Sequence, residues 1–343
     1  MSDAASRLRW TTVEDRPALP GLEERVHHPG FAGMEFLHVR AQRILNEVPA
    51  AAHLPFRWTL NAYRGCSHDC SYCFARPSHG WLDLDPATEF GRTIVVKVNA
   101  VERLRAELRS SRWRGEHVAL GTNTDPYQRA EGRYRLMRGI VETLTEARNP
   151  YSVLTKGTLV TRDLDVLADA AARGTCTSVS FSIPTLDEAV WRATEPGAPH
   201  PRARLEAVAA LAQAGVPAGV FVAPIMPGLT DAPEQLESVV RAALEAGASA
   251  ITPIVLHLRP GVKEHVLAAL ARDRPELVGR YERLYPRSDA PTTERQRLVR
   301  LVRRLVRRHG GPAVAGRQVD DLGRSPAADR DPTPPVAEQL RLA

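Results

Sequence analysis

A chain of 343 residues, 43% hydrophobic and 25% charged, can bury a sizeable core in one large domain or two smaller ones. It has no apolar run near the roughly 18 residues of a membrane-spanning helix, and no hydrophobic segment behind residues 1–7 of the kind a secretory signal carries, so the expected location is the cytoplasm, with no membrane partner. The formal net charge of +6 is matched by residues 294–309 alone, where seven arginines face one glutamate, so overall basicity says little about the main body.

Residues 1–55 show weak periodicity and turn material around Pro17–Gly21 and Pro29-Gly30, which predicts an N-terminal extension packed on the main domain. From there the pattern alternates. Strands are predicted at 56–63, 117–122, 151–155, 178–183, 218–223 and 251–256, and helices at 100–110, 133–147, 163–173, 201–214, 232–246 and 262–272. Gly215 and Gly247 suit left-handed caps at two helix ends. Strand and helix alternating at this spacing imply right-handed crossovers and a parallel sheet. Six such units without a dinucleotide fingerprint predict an α/β fold, a closed or partial (β/α)6 barrel over residues 56–287. Residues 292–309 predict an amphipathic basic helix with Leu298, Val302, Leu305 and His309 on one stripe, within a 288–311 segment. The Pro-, Asp- and Ala-rich stretch 312–343 reads as a disordered tail.

The chain has four cysteines, too few for a disulfide scaffold, and Cys66, Cys70 and Cys73 fall within eight residues. Spacings of four and three put three thiolates on one short loop just after the first core strand, and thiolate sulfur suits iron–sulfur clusters and zinc. On a four-iron cube, three cysteines leave one iron open to a small molecule. Structural zinc, with His68 or His79 as fourth ligand, is the other reading, although zinc sites usually bring a second cysteine pair. Cys176, at the start of the fourth predicted strand, reads as an inert buried thiol.

Cys-x3-Cys-x-aromatic-Cys after the first strand of a six-fold β/α unit resembles the radical S-adenosylmethionine (SAM) superfamily. The surroundings are similar to the branch that contains spore photoproduct lyase. Tyr63-Arg64-Gly65-Cys66, Tyr72-Cys73-Phe74-Ala75-Arg76, Gly121-Thr122-Asn123-Thr124-Asp125-Pro126-Tyr127-Gln128, Leu154-Thr155-Lys156 and Pro224-Ile225-Met226-Pro227-Gly228 carry the resemblance. It implies an enzyme with a [4Fe–4S] cluster on Cys66, Cys70 and Cys73. That cluster would cleave SAM reductively to a 5′-deoxyadenosyl radical, which abstracts hydrogen from an unknown substrate. A flavodoxin- or ferredoxin-type reductant is implied as partner, and a nucleic acid is one candidate substrate through the basic helix. That lyase uses a further cysteine as hydrogen donor, and Cys176 does not stand at a matching place.

Reactive groups of β/α barrels gather at the carboxyl ends of the strands. The resemblance places Thr122, Asn123 and Asp125 near the amino group of SAM, with Gly121 allowing close approach of a ligand; a turn ahead of Pro126 reads equally well. Lys156 is one of three lysines and ends the third strand, and it reads as a point charge for a carboxylate such as that of SAM or as a surface lysine. Ser180 and Ser182 share a strand face with Ser178, opposite Val179, Phe181 and Ile183, and so line the barrel, as a ribose contact or as small residues filling a tight core. Tyr72 is placed beside the cofactor and Pro224 against adenine. Glu195 and Arg202 read as cofactor contacts or a loop salt bridge, His257 and Arg259 as substrate contacts, and Asn61 and Tyr63 as groups orienting the cysteine loop.

Overall fold

The computed structural model describes Leu19, residues 21–49 and residues 54–312. Most of the expected tail, and residues 1–18 of the expected extension, lie outside the described residues. In chain order the elements begin with β1 (Leu22–His27), β2 (Glu35–Val39), β3 (Leu45–Glu47), β4 (Trp58–Leu60), β5 (Tyr63–Arg64), β6 (Thr93–Lys97) and α1 (Ala100–Leu108). Next come β7 (Val118–Leu120), α2 (Glu131–Tyr134), α3 (Leu136–Glu146), β8 (Tyr151–Thr155), α4 (Leu164–Ala172), β9 (Cys176–Ser182), α5 (Glu188–Thr194) and α6 (Pro201–Gln213). The chain closes with β10 (Ala218–Ile225), α7 (Pro233–Glu245), β11 (Ala250–Val255), α8 (Val262–Asp273), α9 (Val278–Leu284) and α10 (Thr292–Arg308).

All six expected core strands are present and parallel, in the order β11-β10-β9-β8-β7-β4, each beside its neighbour in sequence. That order follows when every strand returns through a covering helix on the same side. Both faces are then buried: Val179, Phe181 and Ile183 are fully inside, and Val118, Ala119 and Leu120 leave no exposed position. Gly215 and Gly247, at φ 76° and 84°, stop α6 and α7 through left-handed caps, and the N–H of the residue after each reaches back five positions. The sheet does not close. β3 pairs antiparallel on the free edge of β4, so the barrel is partial.

A second, four-stranded sheet of order β1-β2-β6-β5 lies on the cysteine side. Residues 21–49 supply β1 and β2 to it and β3 to the main sheet. On its inner side Phe36, Ile94 and Val96 join the main core, while Leu37, Val39 and Val95 pack with Leu82 and Leu84 in a separate cluster. The basic helix α10 is a structural member of the barrel wall. Leu298, Val299, Val302, Leu305 and Val306 are buried where it meets α7 and β11, while Arg297, Arg300, Arg304, Arg307 and Arg308 are exposed.

Candidate functional site

The chain leaves β4, forms two residues of β5 against β6, and then turns into the cysteine loop. Gly65 makes that turn at φ 80°; a side chain there would stand 2.8 Å from both the His79 ring and the Thr93 carbonyl. The loop is held from three directions. The Cys66 N–H donates to the Phe90 carbonyl (3.1 Å). Gln128 accepts from the Ser67 N–H (2.8 Å) and donates to the Gly65 carbonyl (3.1 Å). Gly197 donates from its N–H to the His68 carbonyl (3.0 Å), and a Cβ there would lie 2.1 Å from the Ser67 carbonyl. Arg76 is buried beneath the loop. Its guanidinium donates to the carbonyls of Cys70 (3.0 Å) and Asp69 (2.9 Å), to the Asp69 carboxylate (2.6 Å), and to the Pro86 and Ala87 carbonyls.

Cys66 and Cys70 are buried, Cys73 is half-buried, and all three are free thiols. Burial pushes each thiol above its ordinary range, most strongly for Cys66, where the Asp125 carboxylate adds to the effect. Thiolates in so dry a place require cationic compensation, which a bound metal supplies. Among the described residues, no three His, Cys, Asp or Glu side chains gather as the ligands of one ion. Each histidine weighed as a fourth zinc ligand has one ring nitrogen engaged within the protein, and the His79 Nδ1 is buried without a hydrogen-bond partner. The His79 Nε2 is 2.9 Å from the Thr93 carbonyl, and burial lowers the ring's pKa to about 4. His68 pairs with Asp125 at 3.3 Å.

At the strand ends, Asn61 bridges back to the second unit: its amide donates to the Thr122 hydroxyl (3.3 Å) and its carbonyl accepts the Asn123 N–H (3.1 Å). Gly121 answers a packing demand rather than a ligand's approach, since a Cβ there would lie 2.0 Å from the Leu154 carbonyl at φ 88°. Asp125 accepts from the Thr155 hydroxyl (2.6 Å), the Tyr127 N–H (2.9 Å) and the Lys156 N–H (2.6 Å). Burial alone would raise its carboxyl, but His68 and these donors outweigh it and hold the pKa near about 2. It thereby ties β7, β8 and the cysteine loop together.

Lys156 and Glu195 form the centre of a buried polar network. The Lys156 ammonium lies 3.4 Å from the Glu195 carboxylate, donates to the Ser182 hydroxyl (2.5 Å), and sits 5.7 Å from the Tyr72 ring centre. The Tyr72 hydroxyl donates to Glu195, as does the Arg204 guanidinium, which also donates to the Ser182 and Pro199 carbonyls at 2.8 Å. Burial works to raise the Glu195 carboxyl, yet Arg204 and Lys156 bring it below the usual range. Glu195 pairs with Arg204; Arg202 is exposed. The Ser182 hydroxyl in turn donates to the Ala223 carbonyl (2.7 Å), one peptide before Pro224, and Ser180 is buried on the same face of β9. A cavity of about 210 Å³ opens beside Ser71 and Tyr72, walled by Val190, Met226 and Leu229.

The remaining expectations separate from this centre. Cys176 begins β9, at the end opposite the cysteine loop, and burial pushes its thiol up to about 12. Tyr63 donates to Glu131, which also binds Arg162 (2.8 Å), so it braces α2 rather than the loop. His257 pairs with Asp289 (2.9 Å), and Arg259 stacks 5.9 Å from the ring of exposed Phe74, near Cys73. Gln128 and Arg204 were not read as site groups from the sequence. A glutamine eight residues after β7 carries no signal, whereas a lone arginine on the apolar face of a predicted helix does.

The family model described as Radical SAM superfamily matches residues 60–266. An uncharacterized protein of Mycobacterium tuberculosis is 45% identical over 330 residues, covering 94% of this chain and 92% of its own length. In fold the chain is similar to spore photoproduct lyase complexed with dinucleoside spore photoproduct, with TM-score 0.61 and 16% identity over 80% of this chain and 79% of the other. A mutant of that lyase with bound AdoMet and dinucleoside spore photoproduct gives TM-score 0.59 and 18% identity over 79% and 78%.

Proposed function

The chain belongs to the radical SAM superfamily, and from that premise we propose that it is an enzyme binding a [4Fe–4S] cluster on Cys66, Cys70 and Cys73 and SAM beside it. The observation that supports this reading is the loop itself: three free thiols, two buried and one half-buried, on a backbone fixed by Arg76, Gln128 and Gly197. The chemistry supplied by the bound pair is one-electron cleavage of SAM to methionine and a 5′-deoxyadenosyl radical that takes hydrogen from a substrate. This chain's residues supply position and dryness. Lys156 and Ser182 offer a cation and a hydroxyl for the methionyl carboxylate and ribose, with Glu195 and Arg204 fixing the ammonium's place. In the same reading Thr122, Asn123 and Asp125 serve the amino group of SAM, Tyr72 and Ser180 its surroundings, and Pro224 its adenine.

With only Cys176 outside the loop, no second cluster set exists in the chain, so an external flavodoxin- or ferredoxin-type reductant is part of the proposal. Metal analysis after anaerobic reconstitution tests the centre. About four iron and four sulfide per chain, lost in Cys70→Ala, are expected. About one zinc and no iron would replace the enzyme by a metal-stabilised binding module.

A nucleic-acid substrate is a second reading, supported by Arg304 and Arg307, which stand exposed on α10 without a carboxylate partner among the described residues. Its test is binding of irradiated against plain DNA across salt concentrations: a steep salt slope that flattens in Arg304→Gln supports it, and no binding removes it.

A further inference from the structure

Two cations stand together behind the cysteine loop, and among the described residues neither forms an ion pair. In the β5–β6 pair, Arg64 faces Val95, so Lys97, two residues on, is its diagonal neighbour on the same sheet face. That face is otherwise apolar around them: Val39, directly beside Lys97, and Val95, Leu37, Leu82 and Leu84 form one buried cluster. The Arg64 guanidinium lies 5.8 Å from the ring centre of Trp81, and its Nη1 is buried without a hydrogen-bond partner.

Carboxylates near this face are committed elsewhere. Glu35 pairs with Arg25 (3.2 Å). Glu107 attracts Lys97 at a distance, but its two oxygens accept the Ile44 (2.8 Å) and Leu45 (3.0 Å) backbone N–H groups. Neither Arg64 nor Lys97 forms an ion pair among the described residues, and both side chains remain partly open to solvent. Burial, with repulsion from Arg64, lowers the Lys97 ammonium to about 7. Like charges set side by side in an apolar wall are unfavourable unless an anion joins them. A planar fork beside a point charge is the donor set that phosphate oxygens accept, and the indole adds a surface for whatever the phosphate is attached to.

We propose that Arg64, Lys97 and Trp81 form a binding site for the phosphate group of a small molecule, on the outer face of the four-stranded sheet and apart from the thiol-lined loop.

The test is calorimetric titration of the apo-protein with inorganic phosphate and, separately, with adenosine 5′-monophosphate. One saturable site is expected, weakened about tenfold or more in Lys97→Gln and in Arg64→Gln. Lys97→Arg should retain binding, and Arg241→Gln, exposed on α7, should leave it unchanged. Tighter binding of the nucleotide identifies a phosphate ester as ligand; equal binding identifies free phosphate; both support the site. Absence of saturable binding to the wild type overturns it, as does equal binding by a Lys97→Gln protein whose circular dichroism and unfolding curve show it folded. Iron loading is read independently of this titration, so failure here leaves the cluster proposal standing and the reverse.

Discussion

Replacing Arg204 by methionine removes the most deeply buried cation in the molecule. Both Arg204 and Glu195 are fully inaccessible, and the change leaves the Glu195 carboxylate with only Lys156 and Tyr72, and the Ser182 and Pro199 carbonyls without their donor. Breaking one side of a buried pair costs about 3–5 kcal/mol; because Lys156 still neutralises part of the charge, we expect about 3 kcal/mol. Urea unfolding of the apo-protein, followed by circular dichroism, measures it. Changing Glu195→Leu together with Arg204→Met removes the stranded charge and should recover at least half the loss. A single-variant loss under about 1 kcal/mol, or a double variant no better than the sum of its singles, would refute the view that this pair clamps the α5–α6 link to Tyr72.

Gly197→Ala places a methyl group 2.1 Å from the Ser67 carbonyl, so backbone must move; we expect iron retention after reconstitution and desalting to fall at least threefold, with retention at the wild-type level contradicting the loop's rigidity. Lys97 titrates near about 7 in the folded chain against 10.5 in the unfolded one. Between those values the unfolded state binds more protons, so stability should rise with pH from about 7 to about 10, by an amount on the order of a few kcal/mol. Lys97→Met should abolish that rise and be the more stable protein at pH 7 in phosphate-free buffer; an unchanged unfolding midpoint across that pH range in the wild type would contradict it.

The core of the fold was legible because the parallel strands are short runs alternating with helical patterns, two of which end at Gly215 and Gly247, and β8 falls on its expected residues. The second sheet was not. β5 is two residues long, and β1 reads Leu-Glu-Glu-Arg-Val-His, which presents no clean alternation. The β-branched run in Thr93–Lys97 was a usable signal, overlooked because it falls between the cysteine loop and α1 and breaks the strand–helix rhythm. The thiols were legible from their spacing alone. The Tyr72–Glu195 contact was not, since it joins residues 123 apart and depends on how two loops meet over the barrel mouth. The arginine helix shows the limit of charge reading: its apolar stripe, not its +6, gives it its place in the wall, while Arg308 and His309 bind Glu237.

The most direct measurement is anaerobic reconstitution with iron and sulfide, reduction with dithionite, addition of SAM, and chromatographic quantification of 5′-deoxyadenosine. The account predicts product formation above background in the wild type and none above background in Cys70→Ala. Equal amounts in the two proteins, or none in a wild type carrying its full iron, would contradict it.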